Sequence, residues 1–235
     1  MYLPINTIGG GYDYWILALI GVMILGMIAQ ARVNGAFKKF SQQPASSGLR
    51  AEEVAERLLS DAGSSVQVTA VQGTLTDHYN PKTHTVGLST AVYGQTSVAA
   101  LAVAAHEIGH VMQHEEGYAP IKLRNAVMPI ARFGSFAGPI IVIAGAFMQA
   151  FGLAMIGVYI YAAVLLFQLV TLPVEFNAST RAMELLAAGG YISREETTGV
   201  QRVLNAAAFT YVVAVLSTLV TLLRFLSIAN RSRRN

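Results

Sequence analysis

The chain has 235 residues, of which 54% are hydrophobic and only 12% charged, with a mean hydropathy of +0.49. A soluble domain carries roughly 25% charged residues, so this composition excludes an ordinary water-soluble fold. The absence of cysteine excludes a disulfide framework and a thiolate metal site, and the net charge of +3 comes without a basic, aromatic-interleaved patch, which argues against nucleic-acid binding.

Met1–Asp13 is a short Gly-bearing leader. From Tyr14 to about Ala31 the chain is apolar except for Gln30, and Arg32, Lys38 and Lys39 follow. This reads as a first membrane span ending near residue 32. It lacks the basic start and small-x-small site of a cleaved signal peptide, so a signal anchor is expected. Ser41–Gly48 reads as a flexible linker. Leu49–Ala62 has apolar residues at Leu49, Val54, Leu58 and Leu59 with acids early, a short amphipathic helix stopped by Gly63.

Ser65–Val71 alternates like a strand, and Leu75–Tyr79 and Thr85–Ser89 flank the turn signal Asn80-Pro81-Lys82. A sheet of about three strands is therefore expected ahead of the next helix. The run Thr85–Ser89 has two readings of equal weight. It is either an exposed edge to which an extended substrate adds as a strand, or an ordinary structural hairpin.

Ser97–Gly117 is strongly helix-forming and contains His106-Glu107-Ile108-Gly109-His110. On a helix, His106 and His110 stack one turn apart on one face. That spacing lets two imidazoles grip one zinc ion while Glu107 reaches a water on it. Phe133–Val174 then runs without a single Lys, Arg, Asp or Glu. At 1.5 Å per residue it makes about 63 Å of helix, close to two crossings of a hydrocarbon core of roughly 30 Å. The expected turn lies near Met148–Gly152, and Gly134, Gly138, Gly145, Gly152 and Gly157 permit close helix packing. Glu175–Ala188 is a helix closed by Gly189-Gly190, Ser193-Arg194-Glu195-Glu196 is a capping box, and Val203–Leu223 is a fourth span ending at Arg224 and the tail Arg231-Ser232-Arg233-Arg234.

The reading is thus a mainly α integral membrane protein with four transmembrane helices and a small zincin-like α+β portion, whose short sheet precedes the motif helix. Its segments are 1–32 (leader and first span), 33–132 (zincin-like region), 133–174 (helical hairpin), 175–202 (helix with the third ligand and a connecting helix) and 203–235 (fourth span and basic tail). Four crossings place 32–132 and 175–202 on one side, with 9 and 3 Lys/Arg, against none before Tyr14 and four after Leu223. The positive-inside rule puts the motif side in the cytoplasm; the basic tail argues the other way.

A catalytic zinc takes three protein ligands and leaves one position open. His114 continues the i, i+4, i+8 series but lies about 12 Å along the axis from His106, too far to share one ion. It suits a supporting or surface role. The metzincin pattern fails, since Gln113 and Glu116 stand where Gly and His would be needed. His78 and His84 bracket the hairpin turn as weaker candidates. Glu52, Glu53 and Glu56 read as an acidic cluster favourable to a helix dipole. Glu175 stands apart: a carboxylate at the exit of an uncharged span is costly unless paired or metal-bound, and four crossings put it on the motif side. It is the expected third ligand.

The combination of H-E-I-G-H-V-M-Q-H, L-T-D-H-Y-N-P-K-T-H-T-V-G-L-S and T-L-P-V-E-F-N-A-S-T-R-A resembles the YugP-type membrane zinc metallopeptidases of bacteria, over about residues 48–226. That family is more distantly similar to the HtpX type of membrane gluzincin, in which an E-x-x-A-D segment supplies the glutamate ligand. Here Ser179 stands where those relatives have Asp, and Asn177 is a candidate supporting partner for the zinc histidines. The resemblance implies amide hydrolysis at zinc (Zn2+) in a bacterial inner membrane, with Glu107 as base and Arg181 or a tyrosine such as Tyr211 at the oxyanion. The implied substrate is a polypeptide, membrane-associated like the enzyme in its lipid bilayer. An intramembrane site-2 protease is excluded because no Asp follows Asp77. A metal transporter is disfavoured by the uncharged hairpin. The alternative is a non-catalytic membrane scaffold with a structural zinc, which would have no use for Glu107.

Overall fold

The computed structural model describes residues 10–232. The leader expected over Met1–Asp13 lies outside the described residues as far as Gly9, as do the last residues of the tail, 233–235. Six helices and three strands follow in the order α1 (Gly10–Ser41), α2 (Ala51–Asp61), β1 (Gln67–Val71), β2 (His78–Asn80), β3 (Thr85–Ser89), α3 (Val98–Glu115), α4 (Ala119–Phe147), α5 (Phe151–Ala188) and α6 (Arg194–Arg231). Four of them, α1, α4, α5 and α6, are long and apolar enough to cross a membrane. The protein is mainly α with a small α+β part.

The chain divides into two compact units. Among the described residues the first holds 10–28, 127–169 and 212–232, helical but for a turn at 148–150 and the last residue. Its helices meet at glycines: a Cβ on Gly134 would stand 2.5 Å from the Ile160 carbonyl oxygen, and one on Gly145 would stand 2.3 Å from the Ala154 nitrogen. Gly138 and Gly157 pack in the same way, whereas Gly152 faces open space. Val142, Ala154, Val158, Phe225 and Ala229 form its core, and Tyr161 meets Phe225 edge to face. Large apolar side chains such as Phe136 and Phe147 face outward, a surface suited to lipid rather than water.

The second unit, residues 29–126 and 170–211, holds the sheet and the motif helix. The sheet order is β1-β3-β2, with β1 and β3 parallel and β2 and β3 antiparallel. The hairpin forms around the expected turn, pairing His78 with Gly87 and Asn80 with Thr85. Thr85–Ser89 is therefore the central, buried strand, not an exposed edge. Its parallel partner β1 takes the side that local alternation left open, so an extended substrate has no edge to join on β3.

Ser41–Gly48 differs from the flexible linker expected. Ala45 N–H donates to Thr96 O, Pro44 bridges to Ser97, and both the N–H and the hydroxyl of Ser46 donate to Glu196 at 2.7 and 2.8 Å. Glu196 also accepts from Ser193 N–H, closing the capping box that opens α6. A buried carboxylate distant in sequence thus pins the segment. Glu175–Ala188 and Arg194–Arg202 are not separate helices but the ends of α5 and α6.

Candidate metal centre

Helix α3 begins at Ser97, whose side chain accepts the Ala100 N–H. Its first turns are alanine-rich and buried except for Val103, so tertiary packing fixes the rotation of the motif. His106 and His110 stand one turn apart with ring centroids 4.8 Å from one another. Helix α5, continuous through Pro173, brings Glu175 to them. Glu175 Oε2 lies 3.3 Å from His106 Nε2 and 3.6 Å from His110 Nε2, and the ligand atoms of all three residues lie within 4.8 Å of one another.

These separations fit a metal better than they fit hydrogen bonds. Ligands 2.0–2.1 Å from a tetrahedral zinc stand about 3.3–3.4 Å apart. Two imidazole nitrogens and one carboxylate oxygen also form the donor set of an open zinc site. Burial disfavours a charged His110, but the Glu175 carboxylate, with Glu107 and Gln113, outweighs it and leaves the ring more basic than a free histidine. The site attracts positive charge, whether a proton or a metal ion.

The orientation of His110 follows from a relay of donors and acceptors. Arg181, which has only donors, gives Nε–H to Asn177 Oδ1 at 2.9 Å. The same Asn177 oxygen accepts from Gln113 Nε2 at 2.9 Å, and Val174 O accepts the second Nε2 proton at 2.7 Å. Gln113 Oε1 must then face His110 Nδ1, 3.0 Å away, as an acceptor. His110 therefore carries its proton on Nδ1 and leaves the Nε2 lone pair for a metal. His106 Nδ1 has Ser179 Oγ at 3.3 Å.

A cavity of about 190 Å³ opens onto His106, Glu107, Glu175, Ser179 and Tyr211. Glu107 is buried on its wall. Arg124 approaches Glu175 from its other oxygen, 3.8 Å from Oε1, with its Nε buried and without a partner.

Other expected positions lie elsewhere or act differently. His114 packs edge-on against Tyr79 at 5.8 Å and belongs neither to the ligand group nor to the network around it. His78 is exposed beside Thr76 O, and His84 occupies the hairpin turn at φ 51°. Arg181 spends its terminal nitrogens on a bidentate pair with Glu116, both bonds 2.7 Å, and that pair holds the Glu116 carboxyl below the usual carboxylate range. Glu52 is buried and accepts the Gly94 N–H rather than merely facing the helix dipole.

Sequence reading gave no supporting role to Gln113, Ser179 or Arg124. The first two had a signal: Gln113 is three residues from His110 and Ser179 four from Glu175, each on the same helix face. Arg124 had none, since it reaches Glu175 only through the packing of α4.

A family model described as "Putative neutral zinc metallopeptidase" matches residues 15–230. A curated relative, "Putative membrane protease YugP" of Bacillus subtilis, is 42% identical over 215 residues, covering 91% of this chain and 96% of the relative. No solved structure matches.

Proposed function

Because the chain belongs to the neutral zinc metallopeptidase family, we propose that it cleaves membrane-associated polypeptides at a zinc ion held by His106, His110 and Glu175. The observation that carries this reading is the three-ligand group with Glu107 on the wall of the adjoining cavity. Zinc bound there would lower the pKa of a water towards about 7 and polarise the scissile carbonyl. Glu107 takes the water's proton and returns it to the leaving amine. Tyr211, which lines the cavity beside Glu175, is better placed than Arg181 to donate to the developing oxyanion, because Arg181 is engaged with Glu116 and Asn177. Gln113 holds His110 in the tautomer that ligates, and Ser179 contacts the Nδ1 of His106. The count of flanking bases supports a site on the cytoplasmic side of a bacterial inner membrane.

The test is zinc per chain, by elemental analysis, in detergent-purified wild type and Glu175→Ala. One zinc in the wild type, lost or sharply weakened in the variant, is expected. Equal zinc in both would move the third ligand elsewhere. No zinc in either would remove the zinc-peptidase reading.

A further inference from the structure

The cavity that exposes His106, Glu107 and Glu175 also has an aliphatic part with no charged or polar side chain. Val33 of α1, Val103 of α3, and Val203, Leu204, Ala207 and Ala208 of α6 form it. On α6, residues 203, 207 and 211 recur every fourth position with 204 and 208 beside them, so a single helix face lines the space. Two alanines stand between Val203–Leu204 and Tyr211 along that face. The recess lies where they leave the helix without bulk.

Its size fits one side chain. Apolar cavities of about 150 Å³ accept a benzene ring, whereas sites for whole small ligands run from roughly 300 Å³ upward; the whole cavity, the side of the ligand group included, holds about 190 Å³, which leaves the recess room for one side chain at most. A charged group entering it would lose its hydration against aliphatic carbon with no counter-group. Asp77 borders the cavity as well, but its two oxygens accept the N–H and hydroxyl of Ser89 at 2.7 and 2.9 Å.

We infer that this recess takes an apolar side chain of leucine or phenylalanine size on the residue adjoining the scissile bond, and that Ala207 sets its depth. The inference rests on the peptidase reading above. A carbonyl brought to the ligand group and Glu107 is within one residue's reach of the recess, because both open into the same small cavity.

The experiment digests a randomised peptide pool with the full-length, zinc-replete protein in detergent and maps the cleaved bonds by mass spectrometry. Leu, Ile, Met and Phe are expected at one flanking position, enriched at least about tenfold over Asp and Lys. Ala207→Phe fills the recess and is expected to shift that position to Gly and Ala. Val33→Ala enlarges it from α1 and should admit Trp, which keeps the test intact if the phenylalanine variant does not fold. Equal acceptance of charged residues, or unaltered profiles in the folded variants, would overturn the inference while leaving the peptidase reading in place. A wild type with one zinc per chain that cleaves no peptide would remove both.

Discussion

Gly109 and Ala178 meet backbone to backbone: a Cβ at position 109 would stand 2.6 Å from the Ala178 carbonyl oxygen and 3.1 Å from its Cα. Gly109 lies between the two motif histidines, and Ala178 lies one turn past Glu175. The contact sets how closely α3 and α5 approach, and so whether Glu175 reaches the histidines. A backbone neighbour cannot rotate away as a side chain would, so Gly109→Ala must push the helices apart. It is expected to cost about 1–3 kcal/mol through overpacking and to weaken zinc binding at least tenfold, checked by thermal melting and chelator competition. Gly152→Ala, which meets nothing within 4 Å, should leave both unchanged or slightly raise the melting temperature.

Glu107→Gln keeps the size of the side chain and removes its basicity. Because Glu107 is not among the three residues grouped as ligands, the variant should hold one zinc per chain while turnover falls by about 10²–10⁴-fold. The pair of measurements is elemental analysis and peptide cleavage on one preparation. Wild-type cleavage by this variant would end the assignment of Glu107 as base.

Much of this architecture was legible locally. The four apolar runs, the Ser97 cap, the Asn80-Pro81-Lys82 turn and the Ser193–Glu196 capping box each depend on neighbours in sequence, and each appears where its residues direct. Glu175 was legible for a different reason, as a carboxylate stranded beside hydrocarbon needs a partner. What stayed hidden depends on distant pairing. The central place of Thr85–Ser89 is fixed by parallel pairing with β1, which alternation cannot reveal. Ser46 looks like linker until Glu196, 150 residues on, is found to hold it. Helix α5 runs through Pro173, as membrane helices tolerate when freed backbone groups find other partners.

Gln113 is fully buried and serves three groups at once: His110 Nδ1, Val174 O and Asn177 Oδ1. Gln113→Met fills a similar volume but leaves these partners unmatched in the interior. The loss of a supporting contact to a metal histidine typically costs 10–100-fold in affinity or activity, and that range is expected for zinc here. Chelator competition checks it. Affinity equal to that of the wild type would mean that packing alone orients His110.

Arg124 and Glu175 make the remaining test of how the site balances its charge. Glu175 is 3% exposed, and Arg124 is the one cation of a Lys or Arg side chain paired with it among the described residues. Without metal, Arg124→Met leaves that carboxylate to the histidines and Tyr211; with zinc bound, the ion itself would supply the compensating charge. The variant should therefore destabilise the metal-free protein more than the zinc-loaded one. The gap between their melting temperatures at saturating zinc should widen relative to wild type. If both forms fall by the same amount, Arg124 contributes packing through its stem rather than charge to the metal centre.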